Sequence, residues 1–278
     1  MFKNILCCVD SSPYASSVVE TGLYFHSHFN SFLKLIHVID IRMYEWSVSM
    51  GMDGFTSVLP STSFQEESKK LLEERGNEVL QKAKEMLETK KAAFELIKEY
   101  GSPADIICEK ARMTDLIVMG LKGEFAKWSS KFLGAVTEIV SRQCIKPILF
   151  VHQTVKPVNR ILLAYDGSDH AAKAMSYAAF MGEKLKVPIS LLTVHDNDVI
   201  ASEIQHEAMT YLKSYDILVE EIIAGGVPEE QIIKYSNELA ADLLVMGGYG
   251  HSRIREAILG SVTVQVLRKS SIPVMLIK

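Results

Sequence analysis

The chain has 278 residues, 48% of them apolar, and a net charge of −4 from 30 lysines and arginines against 34 aspartates and glutamates. That length accommodates one large domain or two of ordinary size, and the mild acidity excludes the basic footprint of a nucleic-acid binder. No apolar run approaches the roughly 18 residues of a membrane span, and the opening "MFKNILCCVD" meets Asp10 too soon for a signal peptide. These features predict a cytoplasmic protein with neither a nucleic-acid nor a membrane partner.

In chain order, "ILCCV" and "LKLIHVI" are short, apolar and rich in branched residues, the pattern of strands buried on both faces of a parallel sheet. Cys7 and Cys8 in the first of these are expected as core thiols. Cys108 and Cys144 stand alone, with no spacing for metal or redox chemistry. A stretch from Ile41 to about Glu67 follows, with Met43, Tyr44, Trp46, Met50, Met52, Phe55 and Phe64, and leads into a charged helical run. Methionine with aromatics suits adaptable surfaces, but a loop folded onto its own domain is the simpler expectation. "PADIICEKARM" opens a helix with proline and a carboxylate, and "LIVMG" and "ILFV" supply two more strands. The polar "HQTVKPVN", His152 to Asn159, is a linker.

Beyond the linker the pattern repeats. "NILCCVDSS" aligns with "RILLAYDGS", placing Asp10 on Asp166 at an offset of 156, and "LIHVID" aligns with "LLTVHD" at the same offset. "DLIVMG" matches "DLLVMG" at an offset of 127, and "KPILFV" matches "IPVMLI" at 126. Four blocks in one order mean a duplicated unit. The first copy is longer by 29 (156 minus 127), and the surplus is expected mostly in 41–67. In the second copy, "DHAAKAMSYAAFMGEKL" is a helix with Asp169 as its cap, and "PEEQIIKYSNELA" is another. Parallel strands joined by helices predict two tandem, doubly wound, open five-stranded sheets, residues 1–152 and 158–278. Ligands of such sheets sit beyond the carboxyl ends of the strands.

The stretch "MGGYGHSRIREAILGSVT", Met246 to Thr263, lies at such an end. Gly247 closes a strand, and Gly260 precedes a helix for which Ser261 is the expected N-cap. Bare backbone N–H groups and the positive end of a helix dipole make a phosphate site there. The spacing is G-x2-G-x9-G-S over Gly247, Gly250, Gly260 and Ser261, and it resembles the nucleotide-binding motif of the universal stress protein family. Asp166 after the first strand and Val194 at the end of the second match that family too, and the resemblance covers essentially the whole chain. It implies that Asp166 and Val194 hold the adenine and ribose of ATP, with or without magnesium. It implies also that Met246, Gly247, Gly250, Gly260, Ser261 and Val262 cradle ribose and phosphates. Arg253, within the loop, is the favoured side chain for a terminal phosphate, because its fork suits that geometry, ahead of His251 and Arg255.

The first copy departs from the motif. Ten residues separate Gly123 from Gly134, Ala135 replaces the serine, and Glu124, Phe125 and Trp128 enter the loop, while Asp10 and Val38 remain. The first copy is therefore expected to be a structural partner with a degenerate loop. Other candidates are weaker. "YDGSDHA" is distantly similar to the phosphate loop of ATP pyrophosphatases but carries repelling aspartates. His26 and His28 point apart on a helix, and His206–Glu207 begins no H-E-x-x-H. His195, Asp196 and Asp198 are expected in a solvated loop rather than on a metal.

No catalytic group or metal site is assigned. The predicted function is an ATP-binding stress-response module for signalling or protection, acting with an unidentified protein partner. A slow ATPase or pyrophosphatase-like enzyme, or an interaction module with nucleotide as filler, are the alternatives. Finally, "PILFV" and "PVMLI" end the two copies as apolar edges. With the copies tethered, the two edges are expected to pair antiparallel, making a pseudo-dimer within one chain, itself compatible with further homodimerisation.

Overall fold

The computed structural model describes residues 1–40, 62–123, 133–248 and 259–278. The first half contains β1 (Asn4–Cys8), α1 (Ala15–Phe29), β2 (Phe32–Asp40), α2 (Thr62–Thr89), β3 (Phe94–Gly101), α3 (Pro103–Ala111), β4 (Leu116–Gly120), α4 (Ala135–Gln143) and β5 (Ile148–Val151). The second contains β6 (Ile161–Ala164), α5 (Asp169–Leu185), β7 (Ile189–Val194), α6 (Asp198–Leu212), β8 (Val219–Ala224), α7 (Pro228–Glu238), β9 (Leu243–Gly247), α8 (Ser261–Lys269) and β10 (Val274–Ile277).

The strands form one ten-stranded sheet in the order β3-β2-β1-β4-β5-β10-β9-β6-β7-β8. Every neighbouring pair within a half is parallel. The seam between halves is antiparallel, with Leu149 opposite Met275 and Phe150 opposite Val274. The two apolar terminal strands thus cover each other, as expected from sequence. One face of the sheet packs against α1, α2, α5 and α6, and the other against α3, α4, α7 and α8, which is the doubly wound arrangement. Aromatic contacts reinforce the seam: Phe2 lies 5.7 Å from Tyr177 and 5.9 Å from Phe180, and Phe29 lies 5.7 Å from Phe180.

The outer strand of each half, β3 or β8, is the third in chain order. β3 and β8 mix exposed with partly buried positions, because an edge strand covered on one face has no use for a continuous apolar run. Their pairing also relocates the insertion. Leu33 pairs with Phe94 and Ile189 with Val219. The first members of those pairs differ by 156 and the second members by 125, so the first half gains 31 residues rather than 29 between them. Buried Leu87 of α2 then corresponds to Leu212 of α6, and Gly76 to Ala201. Residues 41–71 have no counterpart, so the insertion includes the first turns of α2. The second half recovers two residues in α7 itself, which has 11 residues against the 9 of α3 and restores the offset of 127 at β4 and β9. The methionine- and aromatic-rich positions from Met43 to Phe55 lie outside the described residues.

Three local expectations are corrected. Ser168, not Asp169, caps α5, and its side chain accepts the N–H of Ala171; Asp169 is the first helical residue, where its charge still meets the dipole. Gly260, not Ser261, is the N-cap of α8, and Ser261 begins the helix. Cys108 and Cys144 do not stand alone: they form a disulfide between α3 and the end of α4, with a Cα–Cα distance of 5.1 Å, inside the usual range for a disulfide. Cys7 and Cys8 are free. Among the described residues no helix is long and apolar enough to cross a membrane.

Candidate functional site

The predicted site residues of the second half converge because the strands are in register. Ala164 of β6 is level with Leu192 of β7 and with Met246 of β9. Asp166, Val194, Met246 and Gly247 therefore all sit at the carboxyl edge, around the middle strand. The β6–α5 turn is built for close approach: Gly167 takes a φ of +79°, and the Asp166 carboxylate accepts the N–H of Ser168 at 3.0 Å. A Cβ on Gly247 would lie 2.9 Å from the backbone of His170 and Ala171. Only glycine lets β9 end so near the start of α5.

The start of α8 is tied to the end of β9. Gly260 N–H donates to Gly248 O at 3.4 Å, and Thr263 Oγ1 donates to the same oxygen at 3.1 Å. The N-terminus of α8, with Gly260, Ser261 and Val262, thus opens beside Gly247. Gly250 and Arg253, with His251 and Arg255, lie outside the described residues. The flanking polar cluster is used for turns: Asp196 accepts the N–H of Gly226 at 2.8 Å, Asn197 caps α6, and His195 Nδ1 accepts the N–H of Asn197 at 2.9 Å. Among the described residues no group of His, Cys, Asp or Glu is placed to hold a metal ion.

The first half repeats this layout and keeps a cavity of about 450 Å³. Asp10, Val38, Met119, Gly120, Gly123, Gly134, Ala135 and Val136 line it, the counterparts of the eight second-half positions other than Arg253. Asp10 accepts the N–H of Ser12 at 3.0 Å, and a Cβ on Gly123 would lie 3.0 Å from the other Asp10 oxygen. Thr137 Oγ1 donates to Gly120 O at 3.4 Å, as Thr263 does to Gly248. Glu124, Phe125 and Trp128 of the altered loop lie outside the described residues. Sequence reasoning missed Leu72 and Arg75 of α2, which line the cavity together with Lys122. They belong to the helix that follows the insertion, and no motif marks them. Cys8 also lines it, but burial pushes its thiol well up, with Cys7 and Asp10 adding to the effect, so it is no thiolate nucleophile.

A doubly wound sheet, built twice and joined at a strand seam, defines a tandem α/β protein. The universal stress protein family model matches residues 1–152 and again 157–278, and the chain belongs to that family, with its role in stress response. A universal stress protein of Synechocystis, Slr1230, is 31% identical over 285 residues, covering 98% of this chain and 99% of its own. A single-domain relative from Bacillus subtilis, YxiE, is 28% identical over 146 residues, covering 43% of this chain and 99% of its own. A universal stress protein from Archaeoglobus fulgidus, known from its crystal structure, shares the fold over the full chain, with a TM-score of 0.79, 23% identity and 99% of its own length covered.

Proposed function

We propose that the chain is an ATP-binding stress-response module of the cytoplasm, with the nucleotide held in the second half and no dedicated catalytic step. The convergence of Asp166, Val194, Gly247 and the N-terminus of α8 on one carboxyl edge carries this reading. In it, Asp166 and the Val194 backbone face the nucleoside. Met246, Gly247, Gly250, Gly260, Ser261 and Val262 enclose ribose and phosphates, where the positive end of the helix dipole favours an anion. Arg253 reaches the terminal phosphate, and magnesium, where present, arrives with ATP. The nucleotide then biases how the protein meets an unidentified protein partner.

The intact first-half cavity supports a second reading for that half. Asp10 and Val38 keep the nucleoside end, while Ala135 removes the hydroxyl from the phosphate end. This half takes a nucleoside or its monophosphate rather than the triphosphate. Mass spectrometry of ligand released from freshly purified protein, followed by calorimetric titration, tests both readings. One ATP per chain and two AMP per chain are expected. Absence of any nucleotide binding overturns the function, and two equal ATP sites overturn the division of labour. Steady-state phosphate release separates a slow ATPase from a binding module.

A further inference from the structure

The Cys108–Cys144 bond joins two helices whose amino ends frame the first-half cavity. Pro103 and Ile107 of α3 line it, and so do Ala135, Val136 and Thr137 of α4. Cys108 follows Ile107 directly. Cys144 is the C-cap of α4, at the far end of a nine-residue helix, about 13 Å away. A covalent link there sets the angle at which the other end of the rod meets the cavity.

The second half holds the same corner without sulfur. α3 and α7 both start at proline, which places Ile233 opposite Cys108, and α4 and α8 place Ser270 opposite Cys144. Ser270 caps its helix as Cys144 does, through an N–H bond to the residue four before. Its hydroxyl also donates to Ile272 O at 2.8 Å. The fold therefore does not need the disulfide, which occurs in the half whose loop is altered. In a reducing compartment such a bond is more often transient and redox-sensing than structural.

We propose that the Cys108–Cys144 pair is a thiol–disulfide latch on the first-half cavity, fixing its frame when oxidised and loosening α3 and α4 when reduced. The co-reactant is a low-molecular-weight disulfide. The Cys108 thiolate, on the more exposed of the two residues, attacks it and releases one thiol. The Cys144 thiolate then displaces the second thiol, so the protein pair gives up two protons and two electrons to the reduced co-reactant. Cys7 does not compete, because burial pushes its thiol up to about 12, and the Cys8 thiol is pushed well up too. The consequence for ligand affinity rests on the nucleoside reading of the first half; the latch itself does not.

The test compares full-length protein equilibrated with oxidised or reduced glutathione, without nucleotide, by thiol alkylation with mass mapping and by amide hydrogen exchange. Cys108 and Cys144 should become alkylated together on reduction. The amides of α3 and α4 should then exchange about tenfold faster or more, with α7 and α8 unchanged as the internal control. Equal exchange in the two states, or a pair that never oxidises, overturns the proposal. Cys144→Ser should exchange in both buffers like the reduced wild type; a variant matching the oxidised protein also overturns it. Should that variant fail to fold, the double variant Cys108→Ile, Cys144→Ser installs the second half's pairing and should fold without any redox response. A persisting response overturns the latch. AMP titration in both buffers separates the two claims: a redox-dependent exchange rate without AMP binding defeats the nucleoside reading and leaves the latch standing.

Discussion

The two halves share strand order and helix placement, yet they hold the layer over the carboxyl edge by different means. In the second half, α6 is short and is fixed to the sheet by Gln205, whose side-chain amide donates to Leu191 O and Ile222 O. In the first half, Leu80 takes the place of Gln205, α2 is longer, and it brings Leu72 and Arg75 to the cavity. The first half adds a disulfide where the second has Ile233 and Ser270. A duplicated fold thus preserves what the seam and the strands require, and divergence collects in the layer over the carboxyl edge.

The most severe way to break the comparison is to break what the halves share. Leu149 and Met275 face each other across the seam and are 3% and 0% exposed. Leu149→Glu or Met275→Glu buries a carboxylate without a partner and should cost about 4 kcal/mol or more. Urea denaturation should show the loss in both halves together, and sedimentation should show an expanded or associated chain. A variant as stable as the wild type would mean that the seam is not the common foundation.

The next effect is confined to one half. Gly260 has φ −55° and ψ 141°, a conformation open to any residue, and aspartate is a favourable N-cap. Gly260→Asp should therefore leave folding intact while setting a negative charge where the proposed nucleotide's phosphates would meet α8. ATP affinity should fall by at least about 2 kcal/mol, roughly thirtyfold, as read by calorimetry. Gly134→Asp, at the equivalent N-cap of α4, should leave ATP affinity unchanged. Equal losses in the two variants would contradict the assignment of the triphosphate to the second half.

These contrasts were legible in the sequence to different depths. The four blocks and their order revealed the duplication, and continuous apolar runs marked β1, β2, β4 and β5 with their copies. The seam followed from two apolar edges on a short tether. The outer strands β3 and β8 escaped notice because exposed positions interrupt their apolar ones. The helix starts were each displaced by one residue, since aspartate and serine both cap well and both follow or precede another capping residue. The Cys108–Cys144 bond carried no local signal: its partners lie 36 residues apart, and only the packing of α3 against α4 brings them together. Leu72 and Arg75 were hidden for the same reason.

A subtler difference lies under α2. A Cβ on Gly76 would stand 2.8 Å from His37 Cδ2 and 3.0 Å from its Nε2. The ring cannot easily retreat, because its Nδ1 donates to Val9 O at 2.9 Å. The second half has the smaller Thr193 in place of His37 and accepts Ala201 in place of Gly76. Gly76→Ala should thus destabilise the first half by about 1–2 kcal/mol, the overpacking loss being partly offset by better helix propensity. Combining it with His37→Thr should recover most of the loss in urea denaturation, a coupling of the kind contacting residues show. Additive losses would mean that the two positions do not share one space.

The smallest expected effect compares the residues that follow the seam strands, His152 after β5 and Lys278 after β10. Burial is the main cause that lowers the His152 pKa below 6.5, with Lys122 adding and a backbone bond at Ile272 opposing. Burial lowers Lys278 to about 8 from 10.5. In both cases the folded chain binds the proton less well than the unfolded one, so the signs agree while the windows differ. For His152, stability is full above the unfolded value and declines as pH falls below about 6.5, levelling once the folded side chain protonates. For Lys278, the decline runs from about 10.5 down to about 8 and is complete at neutral pH. Urea midpoints measured against pH should therefore show two separate steps, and His152→Asn should remove the lower one while leaving the upper in place. If the lower step survives in His152→Asn, another group produces it, and the two ends of the seam are not equivalent in the way their positions imply.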